Sequence, residues 1–227
     1  MHYLLGILLL LLILFGPNIW VERTMRRYQK TRDDLQGTGG ELARHLLDLH
    51  NLQNVKVVVT NEGDHYDPNT HTVALSEANF NGKSITAVAV AAHETGHAFQ
   101  HAEGYTPLVL RSKMAILGYY AEKLGVLLII LVPFFGLISG SPAIARIFIG
   151  GIIISFCSSI LIHLVTLPVE FNASFSRALP ALERGQYLHP DDMRPARKIL
   201  LAAALTYVSA SLMSVLNFAR WMAILRH

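Results

Sequence analysis

The sequence predicts a mainly α membrane protein, with about four transmembrane helices and a small α+β polar domain. Three observations carry that prediction. Of 227 residues, 52% are hydrophobic and only 15% charged, against about 25% charged in an ordinary soluble domain. The deficit is local, because long uncharged apolar runs alternate with polar segments. One polar segment holds two short β-branched stretches and then a helical stretch, the order expected of a small α+β unit.

The first apolar run, residues 3–21, is just long enough as a helix to cross a hydrocarbon core about 30 Å thick. Only Met1 and His2 precede it, and Pro17, Asn18, Ile19 and Trp20 close it. A cleaved signal peptide needs a basic start and a small-residue cleavage site, so the run reads as an uncleaved anchor with Trp20 at headgroup level. Runs 125–139 and 144–167 flank a short Gly-Ser-Pro turn and predict an antiparallel helical hairpin, tilted or kinked at Pro133. The last run, 199–225, carries Tyr207, Ser211 and Ser214 near one face, a pattern for helix–helix packing.

Lys and Arg set the expected orientation. Arg23, Arg26, Arg27, Lys30, Arg32, Arg111, Lys113 and Lys123 lie between the first two runs. Arg177, Arg184, Arg194, Arg197 and Lys198 lie between the last two. Both loops share a side by parity, so the expectation is a multi-pass protein of the inner (cytoplasmic) membrane with those loops in the cytoplasm. The net charge of +3 is too small to argue for a nucleic-acid partner. The single cysteine, Cys157, allows no intrachain disulfide.

The polar segment begins at Gly37–Gly40, read as a flexible break. Residues 41–52 have apolar positions at Leu42, Leu46, Leu47 and Leu49, an amphipathic helix. Residues 55–60 and 71–76 read as strands, with turn chemistry around Gly63 and Asp67-Pro68 between them. A helix is then expected from about Ile85 to Glu103, with Ser84 as N-cap and Gly104 ending it. The expected organisation is an N-terminal transmembrane anchor at 1–21, a cytoplasmic segment at 22–122 and a transmembrane hairpin at 123–167. A second cytoplasmic segment follows at 168–198, then a C-terminal transmembrane helix at 199–227.

That central helix contains His93-Glu94-Thr95-Gly96-His97. On a helix, positions four apart lie about 40° apart around the axis, so His93 and His97 project from one face and can share a metal ion. Glu94 sits beside that face, placed to take a proton from water at the metal. Gly96 leaves room for a close neighbour. The plain alternative is a helix whose histidines only hydrogen-bond. A catalytic zinc also needs a third protein ligand and an open position. Glu170 is the candidate, because a hairpin between the motif and residue 170 returns the chain to the same face. The fold expectation is therefore a zincin-like domain built on a His-Glu-x-x-His helix.

The stretches "DHYDPNTHTVALS", "AVAVAAHETGHAFQH", "LPVEFNASFSRAL" and "AAALTYVSA", in that order, resemble the YugP-like family of bacterial membrane zinc metallopeptidases. The resemblance spans nearly the whole chain. It implies a zinc-dependent peptidase with one zinc ion per chain, His93, His97 and Glu170 as ligands and Glu94 as catalytic base. A wider similarity is to the HtpX-type membrane gluzincins, whose third-ligand helix reads Glu-x-x-x-Asp. Here the fourth residue after Glu170 is Ser174. Asn172 or Ser174 is thus the candidate to orient a ligand imidazole.

The function expected is a membrane-bound metalloendopeptidase acting on membrane-proximal polypeptides at a lipid bilayer. Residues 71–76 are the expected substrate edge, where an extended peptide adds by backbone hydrogen bonds. Arg177, His163 and Tyr207 are candidates to stabilise the oxyanion. His65 and His71 read as turn and edge residues before accessory ligands, and His101 as a surface or supporting residue. One rival is a non-catalytic membrane zinc-binding or scaffold protein, which has no need of Glu94. Another is a metal transporter, which needs ionisable groups inside the apolar runs.

Overall fold

The computed structural model describes residues 2–139 and 142–206. It is mostly helical, with one three-stranded sheet. Helix α1 spans His2–Arg27 and α2 spans Gly39–Leu49. Strands β1 (Lys56–Thr60), β2 (His65–Asp67) and β3 (Thr72–Ser76) follow, then the short α3 (Glu77–Phe80). Helix α4 is Ile85–Ala102, α5 is Thr106–Ser139 and α6 is Pro142–Phe171. A π-helical segment, Asn172–Ala178, continues α6 into α7, Leu179–Gly185. Residues 193–206 are again helical.

Among the described residues, no helix is long and apolar enough to cross a membrane. This corrects the expectation of about four transmembrane helices. Two of the apolar runs belong to longer helices that also carry charged turns: Glu22, Arg23, Arg26 and Arg27 in α1, and Arg111, Lys113 and Lys123 in α5. The last run lies mostly outside the described residues, with Tyr207, Ser211 and Ser214. The hairpin itself is present. Helices α5 and α6 pack antiparallel, with the Ile162 side chain closing on Gly118 and Leu128 on Gly151.

Residues 37–40 are a helix start and not a flexible break. Thr38 is the N-cap of α2: its hydroxyl accepts from the Glu41 N–H, and the Glu41 carboxylate accepts from the Thr38 N–H. This capping box satisfies two backbone donors at once. Gly39 and Gly40 are buried where α2 meets neighbouring backbone, and a Cβ on Gly39 would stand 2.8 Å from the Ala87 carbonyl oxygen.

The sheet order is β1-β3-β2, with β1 parallel and β2 antiparallel to β3. Strand β2 falls in the stretch read as turn, because Tyr66 and Asp67 pair with Val73 and Thr72. Strand β3 is therefore central, and its backbone groups are taken on both sides. It cannot accept a substrate strand, which corrects its reading as the substrate edge. Strand β2 is an edge strand.

Helix α4 begins where Ser84 accepts from the Ala87 N–H and ends at Gly104, whose φ of +65° suits a residue without a Cβ. Residues 85–100 of α4 are buried throughout. Its Ala and Val positions pack against Leu46, Leu47, Val73, Leu75, Ile199 and Leu200 in the core. So the helix that carries the motif is the central beam of the polar domain.

Candidate metal centre

His93 and His97 leave α4 one turn apart and meet Glu170, near the end of α6. Glu170 Oε2 lies 3.2 Å from His93 Nε2 and 3.2 Å from His97 Nε2. All three side chains are buried, and their ligand-capable atoms lie within 4.8 Å of one another.

The outer face of each imidazole is fixed by a chain of hydrogen bonds. Ser174 donates its hydroxyl proton to the Leu200 carbonyl at 2.9 Å, so its oxygen is left to accept from His93 Nδ1–H at 3.0 Å. The Gln100 amide nitrogen donates to the Val169 carbonyl at 2.8 Å and to Asn172 Oδ1 at 2.9 Å. Its oxygen therefore faces His97 and accepts from Nδ1–H at 3.0 Å. Both histidines thus keep a proton on Nδ1 and turn Nε2 inward. Two Nε2 lone pairs and a carboxylate oxygen then converge with no proton among them. Two added protons or one divalent cation would satisfy that arrangement, and the His₂-carboxylate donor set suits zinc.

Charge in the site follows the same logic. Burial opposes ionisation of Glu170, but in the metal-free chain the added protons on His97 and His93 outweigh it and hold the carboxyl well below the usual carboxylate range. Glu94 is pushed up to about 7, chiefly by burial and partly by the Glu170 charge, with His93 pulling the other way. It lines a cavity of about 420 Å³ together with His93, His97, Glu170, Arg111 and Tyr66. A carboxylate poised near neutrality beside a site for water suits a general base.

The π-helical segment explains Gly96. A Cβ there would lie 2.8 Å from the Ala173 carbonyl oxygen, so only glycine lets the segment approach α4 this closely. That approach brings Ser174 to His93 and Asn172 to Gln100. Both residues named as orienting candidates in the sequence serve an imidazole, Ser174 directly and Asn172 through Gln100.

Other candidates lie elsewhere. Arg177 pairs with Glu103 at 2.9 Å, faces the Tyr105 ring and lines a separate cavity. It is not available to an oxyanion at the centre. The side chain of His163 and the whole of Tyr207 lie outside the described residues. His65 lines the same cavity as Glu94, with Nδ1 2.8 Å from the Gly63 carbonyl oxygen, but does not join the three-residue cluster. His71 stacks on His101, whose Nδ1 lies 2.7 Å from the Tyr66 hydroxyl. Burial pushes the Tyr66 phenol up to about 12. Sequence reasoning missed Gln100, Tyr66 and Arg111. Gln100 was within reach, being three residues after His97 on one helix face. Arg111 counted only as a loop charge, since nothing local ties it to Glu170.

Residues 3–226 match the family described as "Putative neutral zinc metallopeptidase". The chain belongs to this family. It is also similar to the Bacillus subtilis (strain 168) protein named "Putative membrane protease YugP", with 39% identity over 215 residues covering 92% of each chain. No solved structure matches the chain.

Proposed function

We propose that this chain is a zinc-dependent endopeptidase of the gluzincin type, with one zinc held by His93, His97 and Glu170. The observation that carries the proposal is the convergence of two inward Nε2 atoms and Glu170 Oε2, beside the buried Glu94. Zinc bound there would supply a Lewis acid that polarises a peptide carbonyl and lowers the pKa of a coordinated water. Ser174 and Gln100 hold the imidazoles in the tautomer that binding needs. Glu94 accepts one proton from the attacking water as the new C–O bond forms. It returns that proton to the amine nitrogen as the C–N bond breaks, so it ends each cycle as it began.

The edge strand β2 and the preceding Gly63 and Asp64 line the same cavity. An extended polypeptide adding to β2 by backbone hydrogen bonds runs past Glu94 with little demand on sequence. Asp64 keeps that wall rigid by accepting from Ser76 N, Ser76 Oγ and Asn79 Nδ2.

The substrates proposed are membrane-proximal polypeptides. Helices α5 and α6 expose apolar residues that include Ile116, Leu117, Leu127, Ile130, Ile147 and Ile154. An apolar surface of that kind fits contact with lipid, and the relative's name, a membrane protease, agrees. We propose that the site works at the cytoplasmic membrane surface, where the basic polar segments would meet anionic lipid.

The test is Glu94→Gln in the full chain, assayed on unstructured polypeptide. Zinc content should be unchanged while cleavage falls by about 10²–10⁴-fold. Full cleavage by the variant would refute the base, and absence of cleavage by the wild type on any polypeptide would favour a non-catalytic zinc protein.

A further inference from the structure

We propose that Arg111 is a positioning residue that makes Glu170 a one-oxygen metal ligand. The inference rests on the zinc-site reading above and extends it to a residue outside the motif. Glu170 Oε2 is the oxygen that meets both imidazoles. Its other oxygen, Oε1, is fully buried and has no hydrogen-bond partner. The one cation within ion-pair distance of Oε1 among the described residues is Arg111, with Nη1 at 3.3 Å. A buried carboxylate oxygen with nothing on it is costly. An oxygen in that state turns toward whatever positive charge is nearest. Without the guanidinium, that charge would be the metal.

The placement of Arg111 comes from the hairpin. Helices α5 and α6 run antiparallel in a register that sets Leu128 on Gly151 and Ile162 on Gly118. Continued along the same helices, that register sets Arg111 opposite Glu170. The motif helix and α5 are separated only by residues 103–105, so one short connection supplies the two histidines and the arginine, while α6 supplies the carboxylate. Arg111 also lines the cavity that Glu94 lines. Held on both sides, Glu170 presents Oε2 alone and leaves a fourth position at the metal for water.

Cobalt(II) reports this geometry directly. Four-coordinate cobalt absorbs strongly in the visible, and five-coordinate cobalt absorbs much more weakly. Purified full chain is stripped with chelator, titrated with cobalt(II), and compared with Arg111→Met and Arg111→Lys. Zinc affinity is read by competition with a chromophoric chelator. The wild type should give the strong four-coordinate spectrum. Arg111→Met should give a weak five-coordinate spectrum as Oε1 swings onto the metal, with zinc affinity lower by about 10–100-fold. Arg111→Lys, which returns a cation beside Oε1, should recover most of the strong spectrum. The metal-free melting temperature of each variant shows that it is folded. A Met variant with wild-type spectrum and affinity overturns the role while leaving the metal site intact. A Lys variant no better than the Met variant also overturns it, in favour of simple packing. A wild type that takes up no cobalt removes the metal site itself, and this inference with it.

Discussion

Ser174 and Gln100 decide which nitrogen each histidine turns inward. Ser174→Ala removes the acceptor for His93 Nδ1–H and the hydroxyl donor to the Leu200 carbonyl. Zinc affinity should fall by about 10–100-fold, read by chelator competition, while far-ultraviolet circular dichroism stays native. Glu94 gives a second residue-scale prediction. Its carboxyl ionises at about 4.5 when unfolded and near 7 when folded. The folded state therefore holds the proton more tightly. Its stabilising contribution is full below pH 4.5 and is lost as the pH rises through 7. The melting temperature of metal-free wild type should drop, relative to metal-free Glu94→Gln, between pH 4.5 and pH 8. A constant difference over that window would show that Glu94 is not buried as described. At this scale His93, Glu94 and His97 could be singled out from spacing and Glu170 from chain order, whereas Ser174 came from the resemblance to a Glu-x-x-x-Asp helix. Arg111 could not, since its partner is 59 positions away and only the α5–α6 register joins them.

Elements bring those residues together through one close contact, α4 against the π-helical segment. Gly96→Ala places a Cβ 2.8 Å from the Ala173 oxygen. Overpacking of this kind costs about 1–3 kcal/mol, and here the backbone that must yield carries Ser174 and follows Glu170. The variant should lose both stability and zinc, measured by thermal melting and metal content. If it kept full zinc with an unchanged melting temperature, the contact would be looser than described. Helix α4 was legible because its cap, length and stop all agree in the sequence. The π-helical turn was not, because its wider backbone leaves no periodic mark in seven residues. Strand β2 was hidden for a related reason. Its three residues sit between Gly63 and Pro68, and turn residues outweigh strand propensity over so short a stretch. Missing β2 also made β3 look like an edge.

For the whole molecule, the hairpin is the device that matters. It carries the chain away from the motif and returns it, so that Glu170 closes the site begun by His93 and His97. Its apolar residues had been read as spans. Among the described residues no helix meets the length and apolarity of a span, yet Ile116, Leu117 and Ile154 stand exposed. Composition alone does not separate a helix that crosses lipid from one that shows an apolar face to it. The account predicts that the purified chain floats with phospholipid vesicles, and that Ile116→Asp with Leu117→Asp reduces the floating fraction. Equal flotation of the double variant would move lipid contact away from this face.

The central claim is that His93, His97 and Glu170 hold one zinc ion. The most direct measurement is the zinc-to-protein ratio of the purified full chain beside His93→Ala and Glu94→Gln. The account predicts about one zinc per chain in the wild type and in Glu94→Gln, and loss of most of it in His93→Ala. Less than about half an equivalent in the wild type, with none lost on His93→Ala, would contradict it.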